Sequence, residues 1–297
     1  MELNLGSLMA PIRPLLRNDL VYDVVMTRSL DFLLTQRTVK ITRLQLNEIR
    51  RRAGTGVLRY ALRDGLQIEF DLSDDLDAFM FDHLSRYGHY EAEVESILSE
   101  LVTKDTTFVD VGANVGYFTV LCSRSARAVY AFEPVPAVFE RLSGNIRLND
   151  LGNVRAFQLA LSKEKTRLRL FESRISPGHD STVKRFEHDG SILVDAVSLD
   201  EAVEPSAGDV VMKVDVEGSE KDVLLGALGL IRSGKVSAIV VEWARRIYPR
   251  VTDLRERFAL YSALGSVEVL DDRLGSYKVT ERHEIPEFCN LLIRVRR

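Results

Sequence analysis

Cysteine, tryptophan and long apolar runs are scarce in this chain of 297 residues, and each scarcity removes a class of protein. Two cysteines, Cys122 and Cys289, cannot build a disulfide scaffold; both stand in apolar runs and read as packing residues rather than as a bridge or a metal pair. No stretch reaches the roughly 18 consecutive apolar residues of a transmembrane helix. Met1 to Leu5 lacks basic residues, and Pro11, Arg13 and Pro14 interrupt the next segment, so no signal peptide and a cytoplasmic location are expected. Positive charge is not in excess: 40 Lys and Arg face 44 Asp and Glu, a formal net charge of −4. Without a basic stripe to neutralise phosphates, no nucleic acid partner is expected. What remains is 45% hydrophobic residues, enough for the core of one large α/β domain with an appendage.

The most informative run is Phe108-Val109-Asp110-Val111-Gly112-Ala113-Asn114-Val115-Gly116. Thr107 to Val111 has the apolar character of a buried parallel strand, Gly112 and Gly116 permit close backbone approach, and Tyr117 to Cys122 continues as an apolar helix. A strand, a small-residue turn and a helix N-terminus form a nucleotide-binding arrangement, because the free N–H groups favour ligand oxygens. A dinucleotide fingerprint asks for Gly-x-Gly-x-x-Gly. Here Gly112 and Gly116 stand four apart around Asn114, with Asp110 before them, a pattern better suited to S-adenosylmethionine. Ala128 to Phe132 reads as the next strand and ends at Glu133, 133 − 110 = 23 residues beyond Asp110, where a carboxylate would hold the ribose diol. Pro134 stops that strand. Asn114 reads equally as a cofactor ligand or as a turn-stabilising residue in the left-handed region.

Organisation follows from periodicity. Residues 1–56 read as a helical N-terminal extension; its basic cluster Arg50-Arg51-Arg52 reads as a solvated helix end, and Ala53 to Gly56 as a break. Residues 57–100 read as a β-hairpin, turning at Asp64-Gly65, with a lead-in helix from Tyr90 to Leu101. Residues 101–297 read as the cofactor-binding domain: a third strand at Val154 to Leu161, a fourth at Val210 to Val216, a helix at Glu220 to Leu230 and a fifth strand at Val236 to Glu242. Ser266 to Leu270 and Cys289 to Val295 have no helix between them and are expected to pair as an antiparallel hairpin.

Taken in order, Tyr90-Glu91, Val109 to Gly116, Ala131-Phe132-Glu133-Pro134, Val197-Ser198-Leu199-Asp200, Lys213 to Glu220 and Val240-Val241-Glu242 resemble the FkbM family of S-adenosylmethionine-dependent methyltransferases. The resemblance runs from about Tyr90 to Glu242 and implies an α/β fold of the class I methyltransferase type. Such a fold has a seven-stranded, mostly parallel sheet closed by a C-terminal antiparallel hairpin. It implies methyl transfer, usually to an oxygen of a sugar, polyketide or other secondary metabolite. The implied cofactor-binding residues are Tyr90, Glu91, Asp110, Gly112, Ala113, Asn114, Gly116, Glu133, Pro134 and Asp215. Nothing carries over to the N-terminal extension.

Chemistry is expected at the end of the fourth strand, since open α/β sheets bind ligands beyond the carboxyl ends of their strands. Lys213 and Asp215 lie two apart and face one side, either as a structural ion pair or with Asp215 toward the cofactor amine or the acceptor hydroxyl and Lys213 tuning its charge. Ser219 reads as a helix cap. Asp215, His179 and Glu242 are the candidate bases for the acceptor proton. Asp215 and Glu242 lack a third ligand, so no metal is assigned. The expected partner is a small hydroxylated acceptor; homo-oligomerisation stays open. Two other classes remain: a nicotinamide oxidoreductase, for which the third glycine is missing, and a non-catalytic interaction protein on the same core, in which Asp110, Glu133 and Asp215 would have no purpose.

Overall fold

Alternating apolar residues build a hairpin at the start of the structure: β1 (Val57–Ala61) and β2 (Gln67–Asp71) pair antiparallel about a short helical turn at Arg63–Gly65. The structure is a computed structural model that describes residues 47–48, 50–51, 54, 56–173, 188–204, 208–244, 251–271 and 275–296. Nearly all of the N-terminal extension and the loop carrying His179 therefore lie outside the described residues. Arg50 departs from the solvated reading: it donates to the carbonyls of Leu72 and Ser73 and pairs with Asp75 at 2.6 Å, fastening the entry to the hairpin onto its exit. Arg51 is exposed and pairs with Glu48.

A helix absent from the sequence reading comes next, α1 (Asp75–Tyr87), with Asp74 accepting from the N–H groups of Leu76 and Asp77 as its N-cap. The chain then alternates as expected: α2 (Ala92–Leu101), β3 (Thr107–Val111), α3 (Tyr117–Ser123), β4 (Ala128–Phe132), α4 (Pro136–Leu148) and β5 (Val154–Phe157). Beyond Phe157 the expected single strand splits. β5 pairs with β4, whereas β6 (Ala160–Leu161) joins the hairpin of β7 (Thr166–Ser173) and β8 (His188–Val197) in a separate three-stranded sheet. Then come α5 (Leu199–Ala202), β9 (Val210–Val214), α6 (Glu220–Leu225), α7 (Leu228–Arg232), β10 (Val236–Ala244) and α8 (Val251–Leu264). The expected helix Glu220 to Leu230 breaks at Gly226, packed against the carbonyl of Ser162. Last are β11 (Gly265–Asp271), β12 (Gly275–Val279) and β13 (Phe288–Val295).

The main sheet has eight strands in the order β12-β11-β13-β10-β9-β3-β4-β5, parallel from β10 to β5 and antiparallel from β12 to β10. The expected count of seven omitted β12, a short and mostly exposed edge strand without an apolar pattern. Ser266 to Leu270 and Cys289 to Val295 do pair, but β12 intervenes in the chain and β13 inserts between β10 and β11. One side of the sheet buries Phe108, Phe118, Val211, Val240 and Leu292 together with Ile68, Phe70 and Leu72 of the hairpin. The other buries Val109, Met212, Val241, Trp243 and Tyr261. Cys122 is buried and Cys289 half-buried, and both are free thiols; burial pushes the Cys122 thiol well up from its usual value.

From β3 the chain runs outward through β4 to β5, then returns to lay β9 on the other flank of β3. The strand order reverses between β3 and β9, which opens a crevice at their carboxyl ends.

Candidate cofactor and acceptor site

Strand register collects the polar side chains of the site on one face. Asp110 pairs with Lys213, Lys213 with Val240, and Glu242 with Asn290, so Asp110, Lys213, Asp215, Glu242 and Asn290 project to the same side. Helix α2 lies over this face, where the Asn290 amide donates to Glu93 at 3.2 Å. At the head of α2, the Tyr90 N–H and the Tyr117 hydroxyl both donate to one oxygen of Glu95, and the Tyr90 and Tyr117 rings meet edge to face.

The turn after β3 is shaped by contact with the turn after β9. Gly112 has φ 79°, and a Cβ there would overlap the carbonyl oxygen of Asp215, so both backbone conformation and space demand glycine. Asp215 in turn donates its N–H to the Val111 carbonyl at 3.0 Å. Asn114, at φ 52°, accepts from the Val115 N–H at 2.7 Å, the turn-stabilising arrangement, while its own N–H donates to Glu133 at 3.0 Å. Glu133 is 6% exposed, and its second oxygen accepts from the Val135 N–H at 2.9 Å. Each Glu133 oxygen thus accepts from a backbone N–H, which fixes the orientation of the carboxylate. Ser219 makes no cap hydrogen bond, while Glu220 accepts from the N–H of Gly218, which precedes it in the turn.

These turns line a solvent-open cleft with about 610 Å³ of empty space. Gly112, Asn114, Glu133 and Pro134 form one wall and Asp215, Val216, Glu217 and Ser219 another; Phe132, Leu159, Leu161, Leu168 and Leu170 supply an apolar end. The four leucines are lining residues that the sequence reading did not place at the site, and Ser219, read there as a helix cap, lines it as well. The alternation Thr166-Arg167-Leu168-Arg169-Leu170 carried the signal for a strand that presents Leu168 and Leu170 together.

Carboxyl groups dominate the electrostatics. Lys213 is 4% exposed, bonds Asp215 at 2.9 Å and sits over the Phe118 ring. Burial alone would lower its pKa, but the carboxylates of Asp215, Glu91 and Asp110 outweigh burial and hold it above the usual lysine value. Asp110 accepts from the Thr119 hydroxyl at 2.6 Å and is nevertheless raised, because burial outweighs both that bond and Lys213. Burial also raises Glu91 to about 7 and Glu242 well above the usual carboxylate value, with Asp215 adding to both. One buried oxygen on each of Asp110, Glu91 and Glu242 has no hydrogen-bond partner.

A crevice at the strand-order reversal, a glycine turn before a helix and an acidic residue closing the second strand define an α/β methyltransferase of the class I type. The Methyltransferase FkbM domain matches residues 110–267, and the chain belongs to that family. It is 34% identical over 164 residues to the hexuronic acid methyltransferase AglP of Haloferax volcanii, covering 54% of this chain and 65% of that protein. It is 32% identical over 145 residues to methyltransferase 1 of Beauveria bassiana, covering 41% and 58%. The chain thus spans less than two thirds of the length of these relatives. The solved FkbM methyltransferase from Methylobacillus flagellatus aligns with a TM-score of 0.45 at 15% identity, over 73% of this chain and 53% of that one.

Family membership brings S-adenosylmethionine as the cofactor, and the site residues fit it. Glu133 lines the cleft with its carboxylate oriented by two backbone N–H groups, and the partnerless oxygen of Glu91 suits a ligand bearing a cationic group. The structure brings together Tyr90, Glu91, Asp110, Lys213, Asp215 and Glu242, which share one electrostatic environment, and places Gly112, Asn114, Glu133, Pro134 and Asp215 on one cleft. Ala113 and Gly116 sit in the same turn, where the Ala113 N–H donates to the Phe132 carbonyl and Gly116 precedes α3.

Proposed function

We infer that this protein is an O-methyltransferase acting on a hydroxyl of a sugar, polyketide or other secondary metabolite. The observation that carries this reading is Asp215: 28% exposed at its side chain, lining the same cleft as Glu133, and bonded by buried Lys213. When bound, S-adenosylmethionine supplies a methyl group already activated on sulfur. The protein's own work is then to align an acceptor oxygen, exclude water and receive one proton.

Glu133 would hold the ribose diol, and the apolar end formed by Leu161, Leu168 and Leu170 would receive the adenine ring. Glu91, with its partnerless oxygen near the Lys213 ammonium, would bind the ammonium of the methionine moiety. Asp215 would accept the acceptor's proton at its carboxylate, with Lys213 setting its direction through the 2.9 Å bond. Burial raises the Glu242 carboxyl well above the usual carboxylate value, and Asp215, which lines the cleft, is the better placed of the two to take the proton. A relative whose acceptor is a hexuronic acid supports a sugar among the acceptor classes.

Calorimetric titration with S-adenosylmethionine, S-adenosylhomocysteine and NAD tests the cofactor. Micromolar binding of both adenosyl ligands and none of NAD is expected; binding of NAD alone would return the chain to oxidoreductase chemistry. Isotopic methyl transfer to a panel of hydroxylated acceptors tests the reaction. With an acceptor in hand, Asp215→Asn should lower turnover by about 10²–10⁴-fold, and undiminished turnover removes Asp215 from the proton path.

A further inference from the structure

The turn between β9 and α6 carries Asp215 and two residues with positive φ, of which Glu217 lines the cleft. Glu217 has φ 53° and Gly218 φ 116°. A glutamate in the left-handed region persists only where its surroundings over-determine it. On one side the turn leans on the glycine turn, through the Asp215 N–H on Val111 and the close approach to Gly112.

On the other side stands a buried device that neither the motifs nor the cofactor site explains. Arg257, in the middle of α8 and 6% exposed, donates one guanidinium nitrogen to Glu220 at 2.7 Å and another to the Gly218 carbonyl. Glu220, fully buried, accepts from the Gly218 N–H at 2.8 Å with its other oxygen. Both polar groups of the Gly218 residue are thereby held by one ion pair, with the fork geometry that only a guanidinium offers. Outside the core, Lys221 and Glu256 join α6 to α8 a second time.

We propose that Arg257 is a positioning residue: acting through Glu220 and Gly218, it fixes the Asp215–Ser219 turn in the geometry that forms one wall of the cleft. The role rests on the cofactor reading of that cleft but concerns a backbone whose order is measurable without ligand. Arg257 touches neither the proton nor the cofactor. A lysine at this position would keep the charge but lacks the planar fork that offers one nitrogen to Glu220 and another to the Gly218 carbonyl.

The test is hydrogen exchange by mass spectrometry on the full chain, wild type against Arg257→Lys, with calorimetric titration of S-adenosylhomocysteine on both. Exchange in peptides spanning 215–219 is expected to accelerate at least tenfold while those spanning 107–111 keep their wild-type rate. S-adenosylhomocysteine affinity should fall at least fivefold. Unchanged exchange at 215–219, or uniform acceleration over the whole chain, would overturn the proposal. Should Arg257→Lys fail to fold, Glu220→Gln takes its place with the same expected local pattern; failure of both to fold assigns the pair to global stability and overturns it too. A wild-type protein that ignores S-adenosylhomocysteine sinks the cofactor reading, while the exchange measurement still decides the role of Arg257.

Discussion

Glu133 lines the cleft and Glu91 stands half-buried at the head of α2, and the two carboxyl groups have opposite surroundings. Glu133 receives two backbone N–H bonds, from Asn114 and Val135, which fix the orientation of its carboxylate in the cleft. Glu133→Ala removes those charge-assisted bonds and should weaken S-adenosylhomocysteine binding by about 1–3 kcal/mol; unchanged calorimetric affinity would remove it from the ribose role. Glu91 lacks such donors at its buried oxygen, and burial lifts it from 4.5 to about 7. A raised carboxyl binds its proton more tightly in the folded state. Its contribution to stability is therefore complete below pH 4.5 and is lost as pH climbs through about 7. A cationic ligand favours the ionised form, so cofactor affinity should rise with pH up to about 7 and then level off, with a proton released on binding below that pH. Titrations in buffers of different ionisation enthalpy count that proton, and Glu91→Gln should abolish both the release and the pH slope.

Among the elements, the two turns at the strand ends depend on each other. Gly112→Ala places a methyl group on the Asp215 carbonyl at a backbone angle that disfavours any side chain. A loss of about 1–3 kcal/mol is expected from the backbone conformation alone, with loss of cofactor binding, read by thermal melting and titration. A second joint lies between α4 and the outer edge of β2. Asn145 accepts from the Glu69 N–H and donates to the Glu69 and Val115 carbonyls, and Asn149 does the same for Gln67, so two amides stand in for a neighbouring strand. Asn145→Ala leaves buried groups unsatisfied and should cost about 1–3 kcal/mol in denaturant unfolding. These amides were not legible in the sequence, because an asparagine on a helix gives no sign of which edge it meets. Helix α1 was legible in principle through Asp74, and β7 through its alternation.

At the scale of the whole molecule, the hairpin is part of the main core. Ile68, Phe70 and Leu72 are fully buried beside Phe108 and Phe118, which flank the site. Phe70→Ala should destabilise the protein by about 3–5 kcal/mol, and a chain starting after residue 73 should lose its cooperative thermal transition. Retention of a sharp transition in the shortened chain would show that the sheet closes its core alone. The parallel half of the sheet was readable because buried parallel strands are nearly continuous apolar runs, as in Val210 to Val214 and Val236 to Val241. The edge strand β12 was not, because it is short, mostly exposed and without an apolar pattern, and the separate sheet was not, because β6 finds its partner β8 far along the chain.

By itself, the sequence determined the local chemistry: the glycine turn at Gly112, the carboxylate at Glu133, the Lys213–Asp215 pair and the family they mark. Those features depend on a few adjacent residues whose backbone freedom and charge are written in order. Only the tertiary structure decided that the Asp215 carbonyl occupies the space a Gly112 side chain would need, that Leu168 and Leu170 close the cleft, and that Arg257 holds the Gly218 backbone. Each of these joins residues distant in the chain, and such contacts are fixed by the packing of sheet and helices, which no short stretch of sequence encodes.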